Sequence, residues 1–534
     1  YYLGSTRMQG PFPDPRGWGG QRGSRARWIP VFTAFSETRR VAGWPASIFV
    51  EPRTNGTPRR WAWIGMDADE APRELIEDMV AECVSRLHAG VFLFQSGCDR
   101  FALEADGTLE AHARWTAIPE RDAALRVAAE LIREGDSYPA RRVVMAPPQP
   151  GGPAVVRLGR LPEVADEPGN YIVRVSLEDA NQPDRVFDYI EQPVKVLPPR
   201  GAAPAGPWIS TSGARFTLGG RPLFLLGFHY APMSIDAAGP RRPARWLSSS
   251  AFDPDLVQRD LAVIESIGIN TIAVDYREEE DAPQLRFLLD EATRRGLWVY
   301  LALDGVDPVA PDVAKVRRMI EAADLKHQPR VWAIAVAAEP RLGRYPERRR
   351  LDAAWRAWLL EQFESIRHAE EVLGRPVWRD GKELTGPSDA ELATDGPHRG
   401  GVALYRRFVD DLASRQLGRV TRAIREAGCR QLLTLQTGFL GTGSAAGGGH
   451  LPLDPAAGAA HFDFAVIQAN ELHGSTEDFQ EAGFLAAYAR GVMDGKPVAW
   501  FRFGTAVGRP PSSAGLKNQA RVCNEMFELA LRTY

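Results

Sequence analysis

Residues able to do chemistry cluster at the ends of apolar runs. In the second half of the chain, His229 follows the run 223–228, Asp275 closes 270–275 and Asp304 follows 297–303. Glu339 follows 331–338, Gln436 closes 431–436, Glu471 and His473 follow 462–468, and Trp500 and Arg502 lie within 497–503. In the first half, Glu51 closes the run 45–51. A carboxylate at the mouth of a buried strand can bind a hydroxyl, move a proton or pair with an arginine. Arg502 has fewer options, because a guanidinium with a pKa above ~12 stays protonated.

For such side chains to meet, the runs carrying them must be strands whose ends converge. The seven runs of the second half alternate with helical stretches such as 255–267, 284–295 and 312–323. Fully apolar strands alternating with helices predict a parallel sheet covered by helices. Seven such units favour a (β/α)8 TIM barrel over an open doubly wound sheet, and a barrel gathers every strand's C-terminal end on one face. The helical stretch 522–531 closes the chain, so an eighth strand is expected beyond Tyr534. No GxGxxG or GxxxxGK[ST] turn follows any of these runs, which weighs against nucleotide binding.

Two further regions precede the barrel, which is expected over residues 208–534. The first, residues 1–145, begins with a Gly/Pro/Arg-rich loop. Strands are expected at 28–35, 45–51 and 90–95, with helices at 72–87 and 123–134. This mixture predicts α/β layers, read as an N-terminal partial α/β barrel. The second, residues 146–207, lies between two Pro-rich breakers and carries strand-like segments at 155–158, 169–177 and 186–196. It predicts a small β-sandwich of roughly 50 residues, below the ~100 of a full immunoglobulin-like domain. Three regions suit a chain of 534 residues.

Composition narrows the function classes. Hydrophobic residues make up 44% and charged residues 25%, values of an ordinary globular protein rather than a disordered or fibrous one. Lys+Arg 65 against Asp+Glu 68 leaves a net charge of -3, with no basic excess for a nucleic-acid backbone. No apolar run approaches the ~20 residues a bilayer crossing needs. Cys83, Cys98, Cys429 and Cys523 form no CxxC or Cys/His cluster, so neither a zinc site nor a disulfide framework is expected, and no cofactor is expected. The opening Tyr1-Tyr2-Leu3 reads as a processed or cropped chain and leaves the compartment open.

The third region resembles clan A glycoside hydrolases, particularly families 5 and 42. The resemblance rests on Phe216-Thr217-Leu218-Gly219-Gly220-Arg221-Pro222-Leu223, on Phe252-Asp253-Pro254-Asp255, and on Gly268-Ile269-Asn270-Thr271-Ile272. A long insertion at 355–370 with Gly386-Pro387-Ser388-Asp389, and the segment Lys496-Pro497-Val498-Ala499-Trp500, complete it. It implies two carboxylates, an acid/base after the fourth strand and a nucleophile after the seventh, ~5–5.5 Å apart for a retaining reaction. Glu339 matches the first position, although Ala338 stands where the family has an asparagine that donates to the sugar 2-hydroxyl. At the second, the family's Glu-Phe-Gly reads Arg502-Phe503-Gly504, which predicts a Glu339–Arg502 ion pair and no conventional hydrolysis. The segment Gly43–Pro52 resembles a seventh strand with Glu51 at the nucleophile position, and 89–97 resembles an eighth.

The resemblance therefore implies a carbohydrate-binding protein whose second barrel is a pseudo-glycosidase, with His229, Asp275, Asp304, Gln436, Glu471, His473, Trp500 and Arg502 as candidates to line the sugar site. Trp298, Trp332 and Trp500 offer aromatic faces to sugars, though core packing explains them equally. Two alternatives stand beside it. One is an active hydrolase working through Glu51 or an unorthodox residue such as Glu471. The other is a structural module of a surface assembly, as a homo-oligomer or part of something larger. The family-level expectation for location is extracellular or cell-surface.

Overall fold

The computed structural model describes residues 27–37, 41–51, 59–66, 71–98, 100–104, 107–118, 124–146, 154–165, 167–182, 184–201, 206–232, 234–236, 239–241, 245–249, 251–338, 343–436, 455–470 and 486–504. The chain divides into two compact units. The first comprises Tyr1–Ala202 with Pro243–Pro254, and the second Ala203–Arg242 with Asp255–Tyr534.

In the first unit, β1 (Arg27–Phe35), β2 (Val41–Glu51) and β3 (Arg59–Ile64) form an antiparallel sheet in that order. Alternation sends Ile29, Ala46, Ile48 and Val50 to one face, where α1 (Arg73–Ala89) covers them with Leu75, Met79 and Cys83. The helix stops at Gly90, whose left-handed φ of 67° lets its N–H reach the Arg86 carbonyl.

A β-sandwich follows. One sheet orders β4 (Phe92–Gly97), β6 (Thr108–Thr116) and β9 (Ala154–Arg160) as β4-β6-β9. The other runs β5-β11-β10-β7-β8, from β5 (Ala102–Leu103), β7 (Leu125–Arg133), β8 (Arg141–Met145), β10 (Gly169–Asp179) and β11 (Val186–Val196). Buried Arg27 ties β1 to both sheets: Nη1 donates to the Leu93 carbonyl at 3.0 Å and to Asp188 Oδ2 at 2.6 Å.

This corrects the reading of the first region. Its strands pair antiparallel rather than as the parallel tail of a barrel, and the sandwich begins at β4 instead of after residue 146. Of the stretch 123–134, expected as a helix, residues 125–133 form β7. Their apolar positions suit either period, and a nine-residue ladder with β10 decided for the strand.

In the second unit, β12 (Ile209–Ser212), β13 (Arg215–Leu218) and β14 (Arg221–Pro222) make a small meander, and β16 (Ser234–Asp236) and β17 (Gly239–Arg241) a ribbon. The main sheet is parallel. It comprises β15 (Gly227–His229), β18 (Thr271–Tyr276), β19 (Trp298–Leu303), β20 (Val331–Ala338), β23 (Leu432–Gln436), β24 (Ala465–Asn470) and β25 (Val498–Gly504), in the order β15-β18-β19-β20-β23-β24-β25. Its end strands β15 and β25 approach within 8 Å between Cα atoms, so seven strands curl into a nearly closed barrel. Gly227 is required where β15 meets β18, because a Cβ there would sit on the Thr271 carbonyl.

Three helices follow the expected pattern: α2 (Pro254–Ser266), α3 (Ala282–Arg294) and α4 (Val313–Ala322), the last capped by Asp312, which accepts from the Lys315 N–H at 2.9 Å. The insertion between β20 and β23 carries α5 (Asp352–Phe363), α6 (Ile366–Leu373), the two-residue strands β21 (Arg379–Asp380) and β22 (Glu383–Leu384), and α7 (Arg399–Glu426). Its anchor is aromatic. Trp355, fully buried, lies 5.3 Å from Tyr405 and 5.2 Å from Phe408 of α7. Truncating such a side chain to alanine costs ~3–5 kcal/mol.

Candidate functional site

Strand register stacks the barrel interior in layers. At the N-terminal end, Trp332 Nε1 donates to Thr271 Oγ1 at 3.2 Å, and the Trp332 ring stacks on Phe464 at 5.3 Å. Phe216 of the meander meets both rings, and with Ile209 and Leu218 it makes β12 and β13 fill this end of the barrel core. The next layer holds His229, Ala273, Tyr300 and Ala333 in one register row. Phe501 joins them, its ring 5.4 Å from His229 and 5.8 Å from Tyr300. Above lie Asp275, Ala302 and Ala335, and then Ala338 beside Gln436. Aromatic rings therefore form a floor, and short side chains with a carboxylate and an amide stand over it toward the C-terminal strand ends.

At this floor His229 Nε2 lies 2.9 Å from Asp275 Oδ2, with side-chain exposures of 13% and 38%. The carboxylate orients the imidazole while remaining accessible itself. In these layers, the buried Tyr300 hydroxyl and Gln436 Oε1 have no hydrogen-bond partner among the described residues. Such atoms cost stability unless a ligand or water satisfies them. Burial first, and the Asp275 charge second, push the Tyr300 phenol well above its ordinary pKa, so it remains a neutral hydroxyl able to donate.

The remaining expected residues separate. Asp304 is held by Arg277, Nη2 to Oδ2 at 2.6 Å, and acts as a loop tie. Along the same strand end, Lys315 holds Glu278 at 2.7 Å and Arg318 holds Glu279 at 2.8 Å. Trp500 sits between Ala499 and Phe501, both of which pack in the barrel core, so alternation puts Trp500 on the helix-facing side of β25, away from the floor. Arg502 lies on β25 where the register with β24 skips from Phe501 to Phe503, a bulge at the expected nucleophile position. Its side chain, and all of Glu339, Glu471 and His473, lie outside the described residues. Glu51 ends an antiparallel strand of the first unit and pairs with Arg59 at 3.7 Å, so it does not close a parallel barrel strand.

Sequence reasoning missed Tyr300 and Phe501. The signal for Tyr300 was present, since period-two alternation puts Trp298, Tyr300 and Ala302 on one face. Among the described residues, no group of three or more His, Cys, Asp or Glu side chains is arranged to hold a metal ion. No described helix is long and apolar enough to cross a membrane.

No protein-family model matches the chain, and neither does any curated protein. Among solved structures, it is similar to a Parabacteroides merdae β-glucuronidase at 11% identity and a TM-score of 0.30, covering 86% of this chain and 50% of that one. An exo-β-1,4-mannosidase from Opitutaceae bacterium strain TAV5 gives 16% identity and a TM-score of 0.32, covering 59% and 53%. An exo-β-agarase gives 9% identity and a TM-score of 0.35, covering 83% and 98%. The chain thus spans about half the length of the glucuronidase and of the mannosidase. Likenesses this distant carry no argument for the site, which stands on its own geometry.

Proposed function

We propose that the barrel of the second unit is a glycoside-hydrolase-like carbohydrate-binding site in which retaining hydrolysis has been lost. The observation that carries this reading is the His229–Asp275 pair set over the Tyr300–Phe501 floor, with two unsatisfied polar atoms beside it. A sugar has an apolar C–H face and a rim of hydroxyls. Aromatic rings match the first, and a carboxylate, an imidazole, a phenol and an amide match the second. Asp275 accepts from ligand hydroxyls, and Tyr300 donates to a ligand oxygen.

The loss of hydrolysis rests on residue type. Arg502 stands where the resemblance calls for the nucleophile, and a guanidinium cannot attack an anomeric carbon. Calorimetric titration of the full chain with a panel of monosaccharides and short oligosaccharides tests the reading. At least one sugar should bind and His229→Ala should weaken it at least tenfold, while aryl-glycosides of the same sugars should release no product. Turnover abolished by Glu339→Gln would overturn the inactive-barrel part. A panel without a single binder would overturn the whole.

A further inference from the structure

The face of the β1–β3 sheet opposite α1 carries a different arrangement. Trp28, Phe49 and Trp61 stand in one register row across the three strands. Their rings pack at 5.1 Å (Trp28–Phe49), 4.9 Å (Trp28–Trp61) and 5.2 Å (Phe49–Trp61). Trp61 is still 43% exposed, although its two ring neighbours hold it in place. One pair further along the same face, Glu51 and Arg59 form an exposed ion pair at 3.7 Å. One pair in the other direction, Ser47 faces Trp63 across the ladder; Ser47 is fully buried and its hydroxyl has no partner among the described residues.

We infer that this face is a second carbohydrate-binding site, a stacking platform for a neutral glycan chain centred on Trp61. A held indole offers a flat apolar surface at little entropic cost, which suits the C–H face of a pyranose ring. Among the described residues, the rim supplies the Glu51 carboxylate and the Arg59 guanidinium, which neutralise each other, so it favours hydroxyl groups over a charged peptide or nucleic acid. This assignment does not rest on the barrel reading, since it uses residues of the first unit alone. It also gives Glu51 a role its strand end alone does not: a hydrogen-bond acceptor at the platform's edge.

The test is affinity gel electrophoresis of the full chain through gels containing glucomannan, mixed-linkage β-glucan, xylan or agarose. The reference is the His229→Ala/Asp275→Ala chain, whose barrel mouth is disabled. At least one polymer should retard that reference. Adding Trp61→Ala should cut its affinity at least tenfold, whereas Trp61→Phe, which keeps a flat ring, should cut it less than threefold. Circular dichroism checks that each variant is folded; if the alanine variant is not, the Phe49→Ala chain takes its place with the same tenfold expectation. Retardation of the unmutated chain but not of the reference would place the glycan in the barrel and overturn the platform while leaving the barrel reading intact. Retardation by none of the polymers, or retardation indifferent to Trp61→Ala, would also overturn it.

Discussion

Removing one oxygen atom from each of two neighbouring tyrosines should move stability in opposite directions. Tyr276 closes β18 and Tyr300 lies in β19, both almost fully buried. The Tyr276 hydroxyl donates to the Met319 carbonyl at 3.2 Å, whereas the Tyr300 hydroxyl has no partner among the described residues. Tyr276→Phe gives up a satisfied bond, a loss of ~0.5–1.5 kcal/mol. Tyr300→Phe keeps the ring and its contacts with Trp332 and Phe501 but removes an orphaned polar atom, whose burial costs ~1–3 kcal/mol. A gain of about 1 kcal/mol is expected once the small void left behind is counted. The two variants should then differ by about 2 kcal/mol, several degrees in Tm at most for a unit this size. Thermal unfolding followed by circular dichroism reads both against the same transition. The phenol is also the barrel's proposed donor to a sugar, so Tyr300→Phe should weaken sugar binding about fivefold to tenfold, the value of one ~1–1.5 kcal/mol hydrogen bond. A Tyr300→Phe chain less stable than wild type by 1 kcal/mol or more would refute the reasoning, because the hydroxyl would then have a partner of its own.

Three further outcomes are expected. Gly227→Ala should destabilise the barrel by more than ~2 kcal/mol in chemical denaturation, since the added methyl collides with the Thr271 backbone. The insertion should loosen in acid. Burial works to raise the Asp389 carboxyl, but the Arg348 hydrogen bond at 2.7 Å and the Tyr345 N–H outweigh it and hold it below its ordinary value. A depressed carboxyl contributes stability that is full above its unfolded value of ~3.9 and is lost as pH falls through the lower folded one. Proteolysis within 345–426 should therefore rise below that range in wild type, and Asp389→Asn should reduce the pH dependence, the remainder coming from Glu391 and Asp395, whose carboxyls are also held down. Finally, burial pushes the Cys429 thiol up to about 12 despite the opposing charge of Arg425. With Cys83 and Cys98 also buried, a disulfide reagent at pH 8 should leave all three unlabelled in the native chain and label them after denaturation, as read by peptide mass spectrometry.

Much of the barrel was legible from residue order. The apolar runs 270–275, 297–303, 331–338 and 431–436 each became a strand displaced by a residue or so at most, and the helices between them fell close to their expected bounds. Hydrophobic period and length are local properties, and a buried parallel strand is apolar on both faces whatever its neighbours are. The first region read less well for the same reason. Residues 125–133 satisfy the apolar pattern of a helix and of a strand, and only the β10 ladder, some forty residues downstream, chose between them.

The chain's residue types alone determine that position 502 holds a permanent cation, because side-chain chemistry does not depend on the fold. Which groups meet was decided by tertiary structure. His229 and Asp275, separated by 46 positions, became partners because β15 and β18 are adjacent in the barrel, while Asp304 was claimed by Arg277. Trp500 was turned from the floor and Phe501 toward it by the one-residue alternation of a strand whose register is set by its neighbours. Glu51 likewise became the edge of an aromatic sheet face because antiparallel pairing put Arg59 opposite it. Pairing partner, register and facing are non-local, so they exist only once the strands have come together.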